Sequence, residues 1–214
     1  MQTAYKQNND GNTFHQGSER TKYDMIVFCH LRWDFVYQRP QHIISGLDKN
    51  MRVLLIEEPW HRPEQSASRL TEITANLHVL HPNVHQIEEI ATVLPAYTYK
   101  DVNVGWFYSA SFVPLLDYFN FDTVVYDCMD ELSLFKGAPQ KLVEQEQQLM
   151  QIADIVFTGG KSLYESKVQH HDNVYCFPSS VDRDHFAHAL NGITLPQDIA
   201  SIAGPIVGYF GVID

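Results

Sequence analysis

The stretch Met25 to His42, MIVFCHLRWDFVYQRPQH, constrains the fold more than any other part of the chain. Met25 to Cys29 is a short apolar run of strand length. It breaks into a turn dense in groups that bind ligands: His30, Arg32, Trp33, Asp34, Tyr37, Gln38 and Arg39. Pro40 then opens a helix, because proline has no N–H to leave unsatisfied at a first helical position. Strand, polar turn and helix form the unit that builds ligand crevices in parallel α/β sheets. A turn that only reverses the chain draws on Gly, Asn or Asp. The simpler alternative is that Trp33 and Phe35 seal the end of the sheet.

Downstream, apolar β-branched runs alternate with helical patterns. Arg52–Glu57, Leu77–Leu80, Val102–Tyr108, Thr123–Asp127, Ile155–Thr158 and Val174–Phe177 read as strands. Pro40–Lys49, Gln86–Leu94, Val113–Phe119, Lys141–Ala153 and Ser162–Gln169 read as helices. In Lys141–Ala153 an apolar face of Leu142, Val143, Leu149, Met150 and Ala153 opposes a polar face, as an amphipathic helix requires. Residues 60–76 carry no clear period. Alternation of this kind implies parallel pairing with right-handed crossovers. The expected fold is therefore α/β: a doubly wound, mainly parallel Rossmann-like sheet of about six or seven strands.

Composition narrows the function classes. Among 214 residues the formal net charge is −11. That argues against a general nucleic-acid binder, which needs a basic surface to meet phosphates. No apolar run reaches the length of a membrane-spanning helix. The N-terminus lacks the apolar region of a signal peptide. Cys29, Cys128 and Cys176 match no zinc spacing and read as free thiols of a cytoplasmic protein. Residues 1–21 read as a polar, disordered tail, 22–189 as the wound domain, 190–205 as a linker, and 206–214 as the first strand of a second domain. On that reading the chain is truncated.

Ligands in such sheets bind outside the carboxyl ends of the strands. The residues expected there are His30, Arg32, Trp33, Asp34 and Arg39 after the first strand, Glu57 and Glu58 after the second, and Ser109 and Ser111 after the Val102 strand. Asp127, Asp130 and Glu131 follow the next, then Lys161 and Ser162, then Ser179, Ser180 and Asp182. Three carboxylates within VYDCMDELS suit orientation of sugar hydroxyls, metal binding or general base chemistry, with Asp130 and Asp127 as catalytic candidates; a helix-capping cluster is the alternative. TGGKS lacks the first glycine of a phosphate-binding P-loop, since that position is Ile155. What remains is a glycine turn or a modest anion site at a helix start. No dinucleotide fingerprint, nucleophile elbow or zinc motif is present. The expectation is therefore no metal and no cofactor.

WDFVYQRPQHIIS, EEP, YDCMDE, GGKSLYES and FPSSVDRDHF, in that order, resemble the N-terminal half of bacterial GT-B glycosyltransferases of the family 1/family 4 kind, including the teichuronic-acid-type group. GPIVGYFGVID resembles the first strand of the C-terminal domain of that family. Ser179-Ser180 stands where the family has Asn-Gly, and the first turn lacks the family's glycine pair. The resemblance implies a hexosyltransferase in which this half, residues 22–189, binds the acceptor. A nucleotide-sugar co-substrate would be held mainly by the C-terminal domain, and this chain alone would be inactive. It further implies a cell-envelope or polysaccharide acceptor, glycan or lipid-linked, with peripheral association at the inner face of the membrane. A stand-alone α/β ligand-binding module and a protein-interaction module built on the Trp33 turn remain open alternatives.

Overall fold

The computed structural model describes residues 20–132, 137–178 and 180–208. The chain divides into two compact units, Met1–Ser179 and Ser180–Asp214. In the first, strands β1 (Met25–Cys29), β2 (Val53–Glu57), β3 (Arg69–Glu72), β4 (Leu77–His81), β5 (Asp101–Phe107), β6 (Asn120–Cys128), β7 (Ile155–Thr158) and β8 (Val174–Cys176) form one sheet. Its order is β3-β4-β2-β1-β5-β6-β7-β8. All pairings are parallel except that of β3 with β4. The α/β, doubly wound expectation holds.

Every residue of β1 and β2 is buried. Central parallel strands are covered on both faces, so they read as continuous apolar runs rather than alternating ones. The alternation is still there in space. Ile26, Phe28, Leu54, Ile56, Phe107 and Tyr126 enter one core. Met25, Val27, Leu55, Trp106, Tyr108 and Val125 enter the other. The first core is aromatic: Phe28 stacks on Phe107 at 4.4 Å between ring centres, and Phe119 stacks on Phe121 at 5.0 Å. Gly105 on β5 makes room for this cluster, since a Cβ there would meet the Phe121 ring at 2.8 Å.

Register aligns the carboxyl ends. Cys29 pairs with Glu57, Phe28 with Phe107, Phe107 with Tyr126, and Cys128 with Thr158. The winding reverses between β1 and β5, because β2 and β4 lie on one side of β1 and β5 to β8 on the other. A crevice at the carboxyl edge is expected at that switch.

Among the described residues of this unit, four α-helices accompany the sheet: α1 (Arg39–Leu47), α2 (Ile90–Val93), α3 (Gln140–Ile152) and α4 (Lys161–Lys167). Two sequence expectations change in kind. The helix expected over Gln86–Leu94 is broken into a 3-10 turn at Ile87–Glu89, the short α2, and a second 3-10 turn at Leu94–Ala96 containing Pro95. The helix expected over Val113–Phe119 is a 3-10 segment over Ala110–Asp117. Pro114 lies inside it and has no N–H to complete an α-helical ladder. The sheet also has eight strands, not six or seven. The added edge strand β3, RLTE, is polar and half exposed, and so leaves no hydrophobic signature.

The second unit carries α5 (Arg183–Ala187) and α6 (Gln197–Ala200). Asp182 caps α5 by accepting from the His185 N–H at 3.0 Å. Residues 206–208 hold no strand, and 209–214, the rest of the expected strand, lie outside the described residues. So do residues 1–19 of the expected N-terminal tail and Ser179.

Candidate functional site

The polar turn after β1 is tied to the end of β2 by one carboxylate. Glu57 is 2% exposed. It accepts from Arg32 Nη1 at 2.9 Å, from the Trp33 backbone N–H at 2.7 Å, and meets His81 Nδ1 at 2.9 Å. Arg32 Nη1 also donates to the Glu58 carbonyl at 2.7 Å. Burial alone would raise the Glu57 pKa, but the bonds from His81, Trp33 and Arg32 outweigh it and hold the group below its ordinary value. His81 Nε2 also meets Thr71 Oγ1 at 3.1 Å, which ties β4 and β3 to the same carboxylate. From the other side, Gln41 in the first turn of α1 donates to the Trp33 carbonyl at 3.2 Å and accepts from the Gln38 N–H at 3.0 Å.

Arg39, the first residue of α1, is directed to the end of β6. Its Nε and Nη2 reach Asp127 Oδ1 at 3.1 and 2.9 Å, and its Nη1 donates to the Phe177 carbonyl past β8 at 2.6 Å. The Asp127 side chain has no exposed surface. Burial pushes its pKa up against the opposing pull of Arg39 and of the polar groups of Tyr108 and Trp106. Neither the Tyr108 hydroxyl nor the Trp106 indole N–H makes a hydrogen bond of full geometry among the described residues. Asp127, expected at the substrate, is thus a buried clamp on α1. It presents no carboxylate surface to a ligand.

His30 and Asp130 stand differently. The His30 Nδ1 is buried with no hydrogen-bond partner among the described residues. Burial lowers the His30 pKa, while the nearby charge of Asp130 opposes the shift. Asp130 itself is exposed. Glu131 is drawn away into a second buried pair: Lys167 Nζ lies 2.5 Å from Glu131 Oε1 and 2.9 Å from Glu146 Oε1, and Tyr126 Oη donates to Glu146 at 2.6 Å. Desolvation would lower the Lys167 pKa, but these two carboxylates raise it.

The glycine turn after β7 has a packing reason. A Cβ on Gly159 would lie 3.1 Å from the Met129 carbonyl oxygen. Gly160 then caps α4. Lys161 and Ser162 are exposed, and Lys161 lies 3.6 Å from Glu165 of the same helix. They do not join the Arg32–Glu57 or Arg39–Asp127 networks, and Asp34 is exposed on the first turn. No group of three or more His, Cys, Asp or Glu suited to a metal occurs among the described residues.

A pocket of about 390 Å³ opens beside Glu58. Glu58 and Pro59 follow β2, Ser111 lies in the 3-10 segment after β5, His85 to Glu88 precede α2, and Lys141 and Gln145 come from α3. Glu58 and Ser111 were visible as strand-end polar residues. Lys141 and Gln145 were not, because on an amphipathic helix they are indistinguishable from any solvated polar face.

No family model matches the sequence, and no curated protein matches it by sequence. Solved structures do match. One is described as trehalose-6-phosphate from E. coli bound with UDP-2-fluoro glucose, at a TM-score of 0.57 and 10% identity, covering 85% of this chain and 54% of that one. A trehalose-6-phosphate synthase matches at a TM-score of 0.52 and 10% identity, over 83% of this chain and 54% of its own. The likeness shows the fold, an α/β Rossmann-like sheet of the kind these GT-B proteins contain. The chain spans about half the length of these neighbours. No helix among the described residues is long and apolar enough to cross a membrane.

Proposed function

We propose that this chain is the acceptor-binding half of a GT-B glycosyltransferase that uses a nucleotide-sugar donor. The observation that carries the reading is the carboxyl edge of the sheet. There the turn after β1 is held rigidly by Glu57 and Gln41, while His30 keeps a buried nitrogen without a partner among the described residues beside the exposed Asp130. A site held by packed elements with an exposed carboxylate at its rim is preorganised for a ligand hydroxyl. The half-buried His30 ring, with its pKa lowered, is the neutral base of this reading, and the exposed Asp130 is the carboxylate that meets the acceptor hydroxyl. Trp33 and Arg32 shape the wall.

The fold shared with proteins named for UDP-2-fluoro glucose binding and trehalose-6-phosphate synthesis supports this reading. On it, the donor is held by a second Rossmann-like half, this chain alone transfers no sugar, and the acceptor is a cell-envelope or polysaccharide glycan met in the cytoplasm. A thermal-shift panel tests it, with UDP-, GDP- and dTDP-sugars in one arm and mono- and oligosaccharides in the other. The melting temperature rises with a saccharide in the wild type and does not rise in His30→Ala. Stabilisation by nucleotide-sugars alone, or by neither arm, overturns the acceptor assignment.

A further inference from the structure

The pocket beside Glu58 has a chemistry distinct from the paired residues around it. About 390 Å³ falls within the range of small-molecule clefts and is too little for a polymer. Glu58 Oε1 accepts from Ser111 Oγ at 3.3 Å, and its second oxygen has no hydrogen-bond partner among the described residues. Burial raises the Glu58 pKa, with Ser111 and the charge of Arg32 opposing it. Gln145 Nε2 makes only a long contact, 3.5 Å, with the Ser111 carbonyl, which leaves most of its amide capacity unused.

Charge decides what fits. Two carboxylates, Glu58 and Glu88, line the wall against one ammonium, Lys141. That ammonium is already bound to Glu88 at 2.7 Å. Nearby, Arg32 is committed to Glu57. Besides the His85 ring, which lies against His61, a phosphate entering here meets two acidic groups and a cation already paired, and anions in proteins need unneutralised donors. A hydroxyl-rich ring fits instead. Its O–H groups donate to Glu58, its oxygens accept from the Gln145 amide, and its carbon face lies along Pro59 and Ile87.

Building on the acceptor-side reading, we propose that this pocket holds an uncharged sugar ring of the acceptor, gripped by Glu58, Ser111 and Gln145, and that it turns phosphorylated sugars away. Saturation-transfer NMR on the chain tests this with glucose, galactose and N-acetylglucosamine, each against glucose 6-phosphate. At least one neutral sugar gives a saturable signal, and glucose 6-phosphate gives none. Glu58→Gln weakens the neutral sugar about tenfold, the loss of one charged hydrogen-bond acceptor. Gln145→Trp, a substitution at a half-exposed helix position, fills the cavity and abolishes the signal. A neutral sugar bound equally by the wild type and both variants overturns the pocket assignment and leaves the acceptor-side reading standing. Preference for glucose 6-phosphate does the same. Absence of any sugar binding overturns both.

Discussion

Arg39 and Asp127, 88 residues apart in sequence, meet through contacts of 2.9 to 3.3 Å that are almost wholly removed from water. One residue opens α1 and the other is the last but one of β6, so the pair fixes where the helix after the first turn begins. The third arm of Arg39, on the Phe177 carbonyl, extends the clamp past β8. The turn that carries His30, Arg32 and Trp33 inherits its position from this clamp at one end and from Glu57 at the other.

Breaking the clamp on one side leaves a charge stranded in the core. Arg39→Ala is expected to cost about 3–5 kcal/mol, the usual penalty for removing one partner of a buried pair. Arg39→Met combined with Asp127→Leu restores most of that loss, because two apolar groups of similar volume need no partner. Urea denaturation of the single and double variants checks this. A double variant no more stable than Arg39→Ala contradicts the desolvation argument.

The acid limb of stability belongs in part to Glu57. Its folded pKa is lowered, so the unfolded chain binds the proton more readily. The stabilisation is therefore present above the unfolded value, about 4.3, and is lost as pH falls through the folded one. Glu57→Gln costs about 1–3 kcal/mol at neutral pH, moderated because Arg32 is a third exposed and can be solvated. It also flattens the fall in stability between pH 5 and 3. Urea midpoints measured across that range distinguish the two chains; parallel curves would assign the acid limb to other carboxylates.

Much of this architecture was legible because it rests on local signals. The apolar runs at β1, β2, β5, β6 and β7 are strands, and the Gly160 cap opens α4 close to where the pattern placed it. What escaped was set by tertiary pairing. β3 is a mostly polar strand set by its antiparallel register with β4, Arg69 facing His81 and Glu72 facing His78, with Leu70 alone turned to the core. The candidate site shows the same division. Strand ends announced Arg32, Glu57, Asp127 and Asp130, but sequence gives no way to tell a carboxylate that clamps from one that faces a ligand. That distinction depends on which cation arrives from a distant element: Arg39 reaches Asp127, Lys167 reaches Glu131, and among the described residues no cation pairs with the Glu58 carboxylate.

Gly105 offers a test of the aromatic core. Its missing side chain lets the Phe121 ring lie where a Cβ would be 2.8 Å away. Gly105→Ala is expected to destabilise by about 1–3 kcal/mol through overpacking, toward the lower end because Phe121 is only partly buried and can shift. Gly46, within α1, has nothing within 4 Å of its would-be Cβ. Gly46→Ala therefore gains about 0.5–1 kcal/mol from reduced backbone freedom in the unfolded chain. Opposite shifts in melting temperature for the two alanines are the expected result.

Two lysines of one short helix separate structural charge from surface charge. Lys161 and Lys167 open and close α4, and each lies near a carboxylate. Lys161 is 85% exposed on its side chain, and its partner Glu165 is 64% exposed, so solvent screens the pair. Lys161→Met is expected to change stability by less than about 0.5 kcal/mol. Lys167 is 7% exposed on its side chain and bridges Glu131 and Glu146. Lys167→Met leaves two carboxylates facing each other in a dry setting, and about 3–5 kcal/mol is lost. Lowering the pH toward the carboxylate range recovers part of that loss in Lys167→Met, because protonation removes the stranded charges. The wild type gains nothing there, since its raised Lys167 pKa keeps the ammonium charged throughout. Chemical denaturation at pH 7 and pH 5 reads both effects, and equal costs for the two lysine variants would show that burial, not proximity, had been given too much weight.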